Sequence, residues 1–189
     1  MTYRKAYLLS HDIDWFCRIN NIWICCASFG GLLPTFSDDE IMLPYLQAIC
    51  SNLPDVIDAD DITYGEDLLE ERYKRHQLKY SSIEKFAKGN EHEIPEIDSF
   101  ETFRSNYISS FTEMAKRGFY AYARVNIDEL DSTYHLIAKP TDDASNELAN
   151  TIDYFVASPI VSQQFKDYIS NISINREVKL EFDKALTLF

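Results

Sequence analysis

Between Arg18 and Arg72 the chain contains no lysine and no arginine. The same interval holds eleven acids: Asp38, Asp39, Glu40, Asp55, Asp58, Asp60, Asp61, Glu66, Asp67, Glu70 and Glu71. The formal net charge of the whole chain is −13, so this one stretch carries most of the imbalance. Such a surface repels a phosphate backbone, which argues against nucleic acid as a partner. It attracts a basic protein surface, mainly by speeding encounter. The plainer alternative is that the acids serve solubility alone.

Other scarcities narrow the field further. Five glycines in 189 residues leave little room for glycine-rich phosphate loops. No Walker A, dinucleotide-binding, H-E-x-x-H or G-x-S-x-G pattern occurs, and no cofactor is expected. No run of 18 apolar residues exists, so no membrane-spanning helix is expected. The four cysteines, Cys17, Cys25, Cys26 and Cys50, match neither a disulfide framework nor paired zinc knuckles. The short N-terminal apolar run ends at polar Ser10-His11-Asp12 without a small-residue cleavage site, unlike a secretory leader. A reducing, cytoplasmic setting is the simplest expectation. No repeat, low-complexity tract or Pro/Gly-rich linker divides the chain, and its length fits a single domain over 1–189.

What is present is a large apolar inventory, 46% hydrophobic and 14% aromatic, enough for a core without disulfides. The sharpest local pattern lies at 11–29. Asn20-Asn21 supplies residues that tolerate positive φ, as a two-residue hairpin turn requires. That turn pairs Ile19 with Ile22, Cys17 with Ile24 and Trp15 with Cys26 on one apolar face. The opposite face pairs Arg18 with Trp23, Phe16 with Cys25 and Asp14 with Ala27. Tyr3 to Leu9 reads as a separate strand or an extension of this one.

Ser37 reads as the cap of a helix with Asp38, Asp39 and Glu40 in its first turn, although Pro44 argues for a later start. Residues 55–65 read as an acidic loop. A helical pattern runs from Glu66 to Lys88 with Ser81-Ser82 as a possible break. Asp98 and Glu101 suggest a capping box for a helix whose stripe is Phe100, Phe103, Tyr107, Phe111 and Met114. A second hairpin spans about 119–139, with its turn at Asp128–Ser132. Tyr120, Tyr122, Arg124 and His135 are expected to share one of its faces. Ser158-Pro159 resembles a helix start, with Ile160, Val161, Phe165, Tyr168 and Ile169 facing inward. Residues 176–189 fit helix or strand. The expected class is α+β, a mainly antiparallel sheet built from the two hairpins and packed by helices on one side.

Three groupings carry candidate chemistry. In His11-Asp12-Ile13-Asp14, two carboxylates two residues apart on a strand share a side. They are suited to a hard divalent cation or to acid–base work. His11, Asp12 and Asp14 are thus the candidate metal ligands, and Asp12, Asp14 and His135 the candidate catalytic set. The run Leu9–Trp15 resembles the His-Asp-x-Asp corner of polysaccharide deacetylases over seven residues. That family also needs a downstream H-x-x-x-H pair, which His76, His92 and His135 do not form, so membership is not inferred. Acidic residues from Asp58 onward fail the EF-hand pattern, since its sixth position would be Thr63 instead of glycine. Asp58, Asp60 and Asp61, with Tyr122 and Arg124, are the candidate binding residues.

The function expected from this balance is non-enzymatic: an acidic interaction protein, inhibitor- or immunity-like, docking on a basic partner. Two alternatives stand beside it. One is a metal-dependent hydrolase using the Asp/His cluster, and the other a mimic of nucleic-acid charge.

Overall fold

The computed structural model describes residues 2–29, 33–89, 99–125, 133–175, 180–181 and 186–187. Among these, a mixed, mainly antiparallel sheet is packed by helices, an α+β architecture.

The N-terminal hairpin consists of β1 (Asp14–Ile19) and β2 (Ile22–Ala27). Asn20 adopts φ 55°, and the register is Ile19–Ile22, Cys17–Ile24 and Trp15–Cys26, as the turn residues imply. Arg18 sits over the Trp23 ring at 6.0 Å, a cation–π contact. Both faces of this hairpin are buried: Trp15 and Cys17 on one, Phe16 and Trp23 on the other, all at 0% exposure. Tyr3 to Leu9, expected as a strand, is instead mostly the short helix α1 (Lys5–Ser10). Tyr3 and Tyr7 stack at 5.6 Å along it, and Ser10 Oγ donates to the Ala6 carbonyl, so its polar groups are satisfied locally.

Helix α2 (Met42–Ser51) begins later than Ser37. Asp39, not Ser37, caps it, accepting from the Ile41 and Met42 amides at 2.9 Å each. Pro44 then falls in the first turn, where its missing N–H has no intrahelical partner to lose. A 3₁₀ turn (Ala59–Asp61) leads into the two-residue strand β3 (Thr63–Tyr64). Helix α3 (Glu66–Gly89) passes through Ser81-Ser82 without a break.

Helix α4 (Phe100–Lys116) is capped by Ser99, whose hydroxyl accepts from the Thr102 amide at 3.1 Å. Asp98, expected in that role, lies outside the described residues. Ser99→Ala is expected to lower stability by about 1 kcal/mol, read from the urea midpoint at constant m-value. The aromatic stripe lies where its spacing put it. Phe111 is buried, and Phe100, Tyr107 and Met114 pack on a cluster containing Ala121, Ala123 and Ile137. Gly118 ends the helix at φ +95°.

Strands β4 (Tyr120–Arg124) and β5 (Thr133–Lys139) form the second hairpin, with an irregularity between Ala121 and Tyr122. Its expected turn at Asp128–Ser132 lies outside the described residues. The two hairpins join through β2 and β4, which run parallel with Ile24 opposite Tyr120 and Ala27 opposite Ala123. Helix α5 (Asp142–Ala157) lies against β2, and α4 lies against β4 and β5. Asp153 of α5 pairs with Arg18, on the sheet face that also carries Phe16, Cys25, Ala121 and Ala123.

Ser158-Pro159 does not start a helix. Ser158 closes α5, and α6 (Gln163–Asn171) is capped by Ser162, which accepts from the Phe165 amide. Phe165, Tyr168 and Ile169 face inward as expected, but Ile160, in the turn before the helix, is 87% exposed. Strand β6 (Ser173–Ile174) adds parallel to β1, and β7 (Leu186–Thr187) pairs with β5. At 186–187, therefore, the ambiguous end is a strand. The order across the sheet is β3-β5-β4-β2-β1-β6, with β7 beside β5. No helix among the described residues is long and apolar enough to cross a membrane.

Candidate functional site

The eleven acids between Arg18 and Arg72 divide by what they touch. Asp38 accepts from the Tyr3 amide at 2.8 Å. For Asp39, burial pushes the carboxyl up, but the two helix-capping amides outweigh it and hold the group below its ordinary range. Asp55 accepts from Lys116 Nζ at 2.6 Å, which holds its carboxyl low, with Arg117 Nε 3.9 Å away. Glu66 is bidentate with Arg104, and that pairing likewise lowers it. Glu70 faces Lys74 at 3.9 Å and Glu71 faces Arg75 at 2.5 Å, each one helical turn apart.

Five escape this compensation among the described residues: Glu40, Asp67 and a group of three on one turn. Asp58, Asp60 and Asp61 are exposed on the 3₁₀ turn, and no ion pair reaches them among the described residues. The turn holds its shape through backbone bonds, Asp61 N to the Asp58 carbonyl and Ile62 N to the Ala59 carbonyl. Their side chains are therefore spent on nothing local.

The fold extends this remainder. Strand β3 pairs with β5 so that Thr63 lies opposite Lys139, which brings Asp61 beside the start of α5. A groove of about 580 Å³ opens there, lined by Asp61, Thr63, Lys139, Asp142, Leu180 and Glu181. Lys139 is partly committed: its ammonium lies 3.7 Å from Asp142 and 5.4 Å from the Tyr120 ring centroid. Tyr120 donates to Asp142 at 3.1 Å. Asp61 from the turn and Asp142 from α5 thus meet along one edge, where Lys139 and Tyr120 engage Asp142 and no ion pair reaches Asp61 among the described residues. That edge favours a cationic group brought from outside. Asp142 escaped sequence reasoning because it is eighty-odd residues from the turn, and only the β3–β5 pairing joins them.

The other sequence candidates land elsewhere. Asp12 Oδ1 accepts from the Phe29 amide at 2.7 Å and from Ser28 Oγ at 3.4 Å, closing the open end of the first hairpin. His11 stacks on Tyr7 at 3.9 Å, with Nδ1 against the Tyr7 carbonyl at 3.0 Å. Asp14 starts β1, where burial first and Asp12 second raise its carboxyl to about 6. The pairings Asp14–Ala27, Ala27–Ala123 and Ala123–His135 set these residues in one lateral row. Asp14 and His135 share a face, yet three strand spacings separate them, about 14 Å. One metal ion cannot bridge that span, and no group of three or more His, Cys, Asp or Glu among the described residues is placed to hold a metal.

His135 does not share a face with Tyr120, Tyr122 and Arg124. It pairs with Ala123, while Arg124 pairs with Tyr134 and Tyr122 with Leu136, so alternation sends it to the other side. Tyr122 and Arg124 are each 1% exposed, which withdraws both from any surface contact in this fold. His135 lines a cavity of about 530 Å³ with Tyr64, Glu66, Asp67 and Glu71. Its Nδ1 is buried without a hydrogen bond, and burial, followed by Arg72, holds the imidazole below its ordinary pKa. None of the four cysteines is in a disulfide and all are buried, and burial raises the thiols of Cys25, Cys26 and Cys50, leaving them poor nucleophiles.

No family model, no curated protein and no solved structure matches this chain. The surface chemistry alone therefore carries the functional reading.

Proposed function

We propose that this protein acts by binding and not by catalysis, docking on a basic protein partner in a reducing compartment such as the cytoplasm. One observation carries the reading. Asp58, Asp60 and Asp61 stay uncompensated and exposed while Asp55, Glu66, Glu70 and Glu71 beside them are paired. Three free acids on one short turn, one of them (Asp61) lining a groove with Asp142, offer a basic surface a concentrated target. An inhibitor or immunity-type protein that covers a basic active surface is the concrete form of this function.

The test reverses the charge of the turn. With Asp58→Lys, Asp60→Lys and Asp61→Lys together, a basic protein retained from source-cell extract by the unaltered chain is expected to be lost. With that protein purified, the association rate should fall about tenfold at low salt, while dissociation changes little. Raising salt should erase the difference. Equal retention and equal, salt-independent rates for both forms remove the proposal.

A further inference from the structure

Helix α5 differs from α3 in a way that bears on the partner's chemistry. On α3, outward acids find bases one turn on, as in Glu70–Lys74 and Glu71–Arg75. Within α5 there is no lysine or arginine, and none occurs from Pro140 to Phe165. Its inner side is Ala144, Ser145, Leu148, Ala149 and Ile152, all buried. Its outer side presents Asp143, Glu147, Asn150 and Tyr154, spaced so that they fall on one stripe. These residues, with Asn146 and Thr151, line a shallow groove of about 490 Å³. Asp153 pairs with Arg18, but no ion pair reaches Asp143 or Glu147 among the described residues.

Tyr154 is the feature that solubility does not explain. It is 85% exposed. An exposed tyrosine at the end of a groove edged by carboxylates offers an aromatic face and two anions to the same visitor. Arginine matches that combination, since its guanidinium stacks on an aromatic ring while its N–H groups meet a carboxylate. Tyrosine and arginine are also the residues that most often carry binding energy at interfaces.

We propose that the outer face of α5, from Asp143 to Tyr154, is a docking surface for an arginine- or lysine-bearing segment of another protein. Tyr154 is its anchor. This rests on the acidic-docking function above and extends it along α5 from Asp142, which lines the first groove, to Asp143, which lines the second.

The test uses a random twelve-residue phage-displayed peptide library selected on the full chain. Enriched peptides are expected to carry at least two basic residues. Their affinity should drop about tenfold with Tyr154→Ala and again with Glu147→Lys, and survive Tyr154→Phe. Both positions are exposed, so circular dichroism melts should match the unaltered chain. If affinity responds only to the triple reversal at Asp58, Asp60 and Asp61, the α5 surface is excluded while acidic docking stands. If enriched peptides lack basic residues, or respond to none of these changes, both ideas fall. If Tyr154→Ala instead dissolves a dimer seen by sedimentation, the occupant is a second copy and the basic-segment proposal is overturned.

Discussion

Gly118→Ala should lower stability by about 3–4 kcal/mol, the largest single-site effect expected here. Two causes add. Gly118 sits at φ +95°, a backbone conformation that a side-chain-bearing residue rarely adopts. A methyl at this position would also meet the Ala144 carbonyl oxygen at 2.5 Å and Leu148 Cβ at 2.9 Å. The first of these is backbone of α5 and cannot swing aside. The turn itself is fixed by the Gly118 amide on the Ala115 carbonyl and the Phe119 amide on the Met114 carbonyl, so the strain has no local outlet. The consequence passes into the core, because Phe119 is fully buried and its ring lies 5.4 Å from that of Phe16. Urea unfolding followed by far-UV circular dichroism reads the effect. A loss below 1 kcal/mol would mean that α5 moves freely away from the end of α4.

Asp14→Asn should do the opposite, and only above acidic pH. The carboxyl is raised from its ordinary 3.8 to about 6, first by burial and then by Asp12. A raised folded value means that the folded state prefers the protonated acid. Well below pH 4 both folded and unfolded chains hold the proton, and the group costs nothing. As pH rises through 6, the folded chain must ionise it in a dry place beside another carboxylate, while the unfolded chain ionises it in water. Two units correspond to about 3 kcal/mol, fully expressed above pH 7. Asparagine keeps the shape and removes the charge. The variant should therefore be more stable than the unaltered chain by about 2–3 kcal/mol at pH 7.5, with the gap closing toward pH 4. A constant difference across pH 4–8 would refute the assignment to Asp14.

How much was legible depends on whether the deciding interaction is local. The first hairpin is readable to the residue, because a two-residue turn at Asn20-Asn21 dictates every pair that follows. The inward stripe of α4 is readable because five large side chains repeat with helical spacing. The helix starts are read less well. Ser37, Asp98 and Ser158 all look like caps, and Asp39, Ser99 and Ser162 turn out to hold the amides. Capping residues crowd near helix starts, and only the backbone decides which one is in reach. The parallel β2–β4 junction leaves no mark in either strand, since parallel partners lie far apart in the chain and have no shared turn. The acidic stretch was visible as composition. Its sorting into paired and free members was not, because Lys116, Arg117 and Arg104 come from α4 and its end.

The β2–β4 junction has a consequence for how the chain is made. Roughly ninety residues separate the end of β2 from the start of β4, yet the two lie side by side at the centre of the sheet. On the ribosome the first hairpin can close within itself as soon as it emerges. It must then wait several seconds, at about 5–20 residues added per second, for the strand that covers its inner edge. During that interval Trp15, Phe16, Trp23 and Cys25, all buried at the end, are open to any sticky neighbour. A nascent-chain chaperone that binds apolar hairpins would find its substrate there, and truncated chains ending before Tyr120 should aggregate instead of folding.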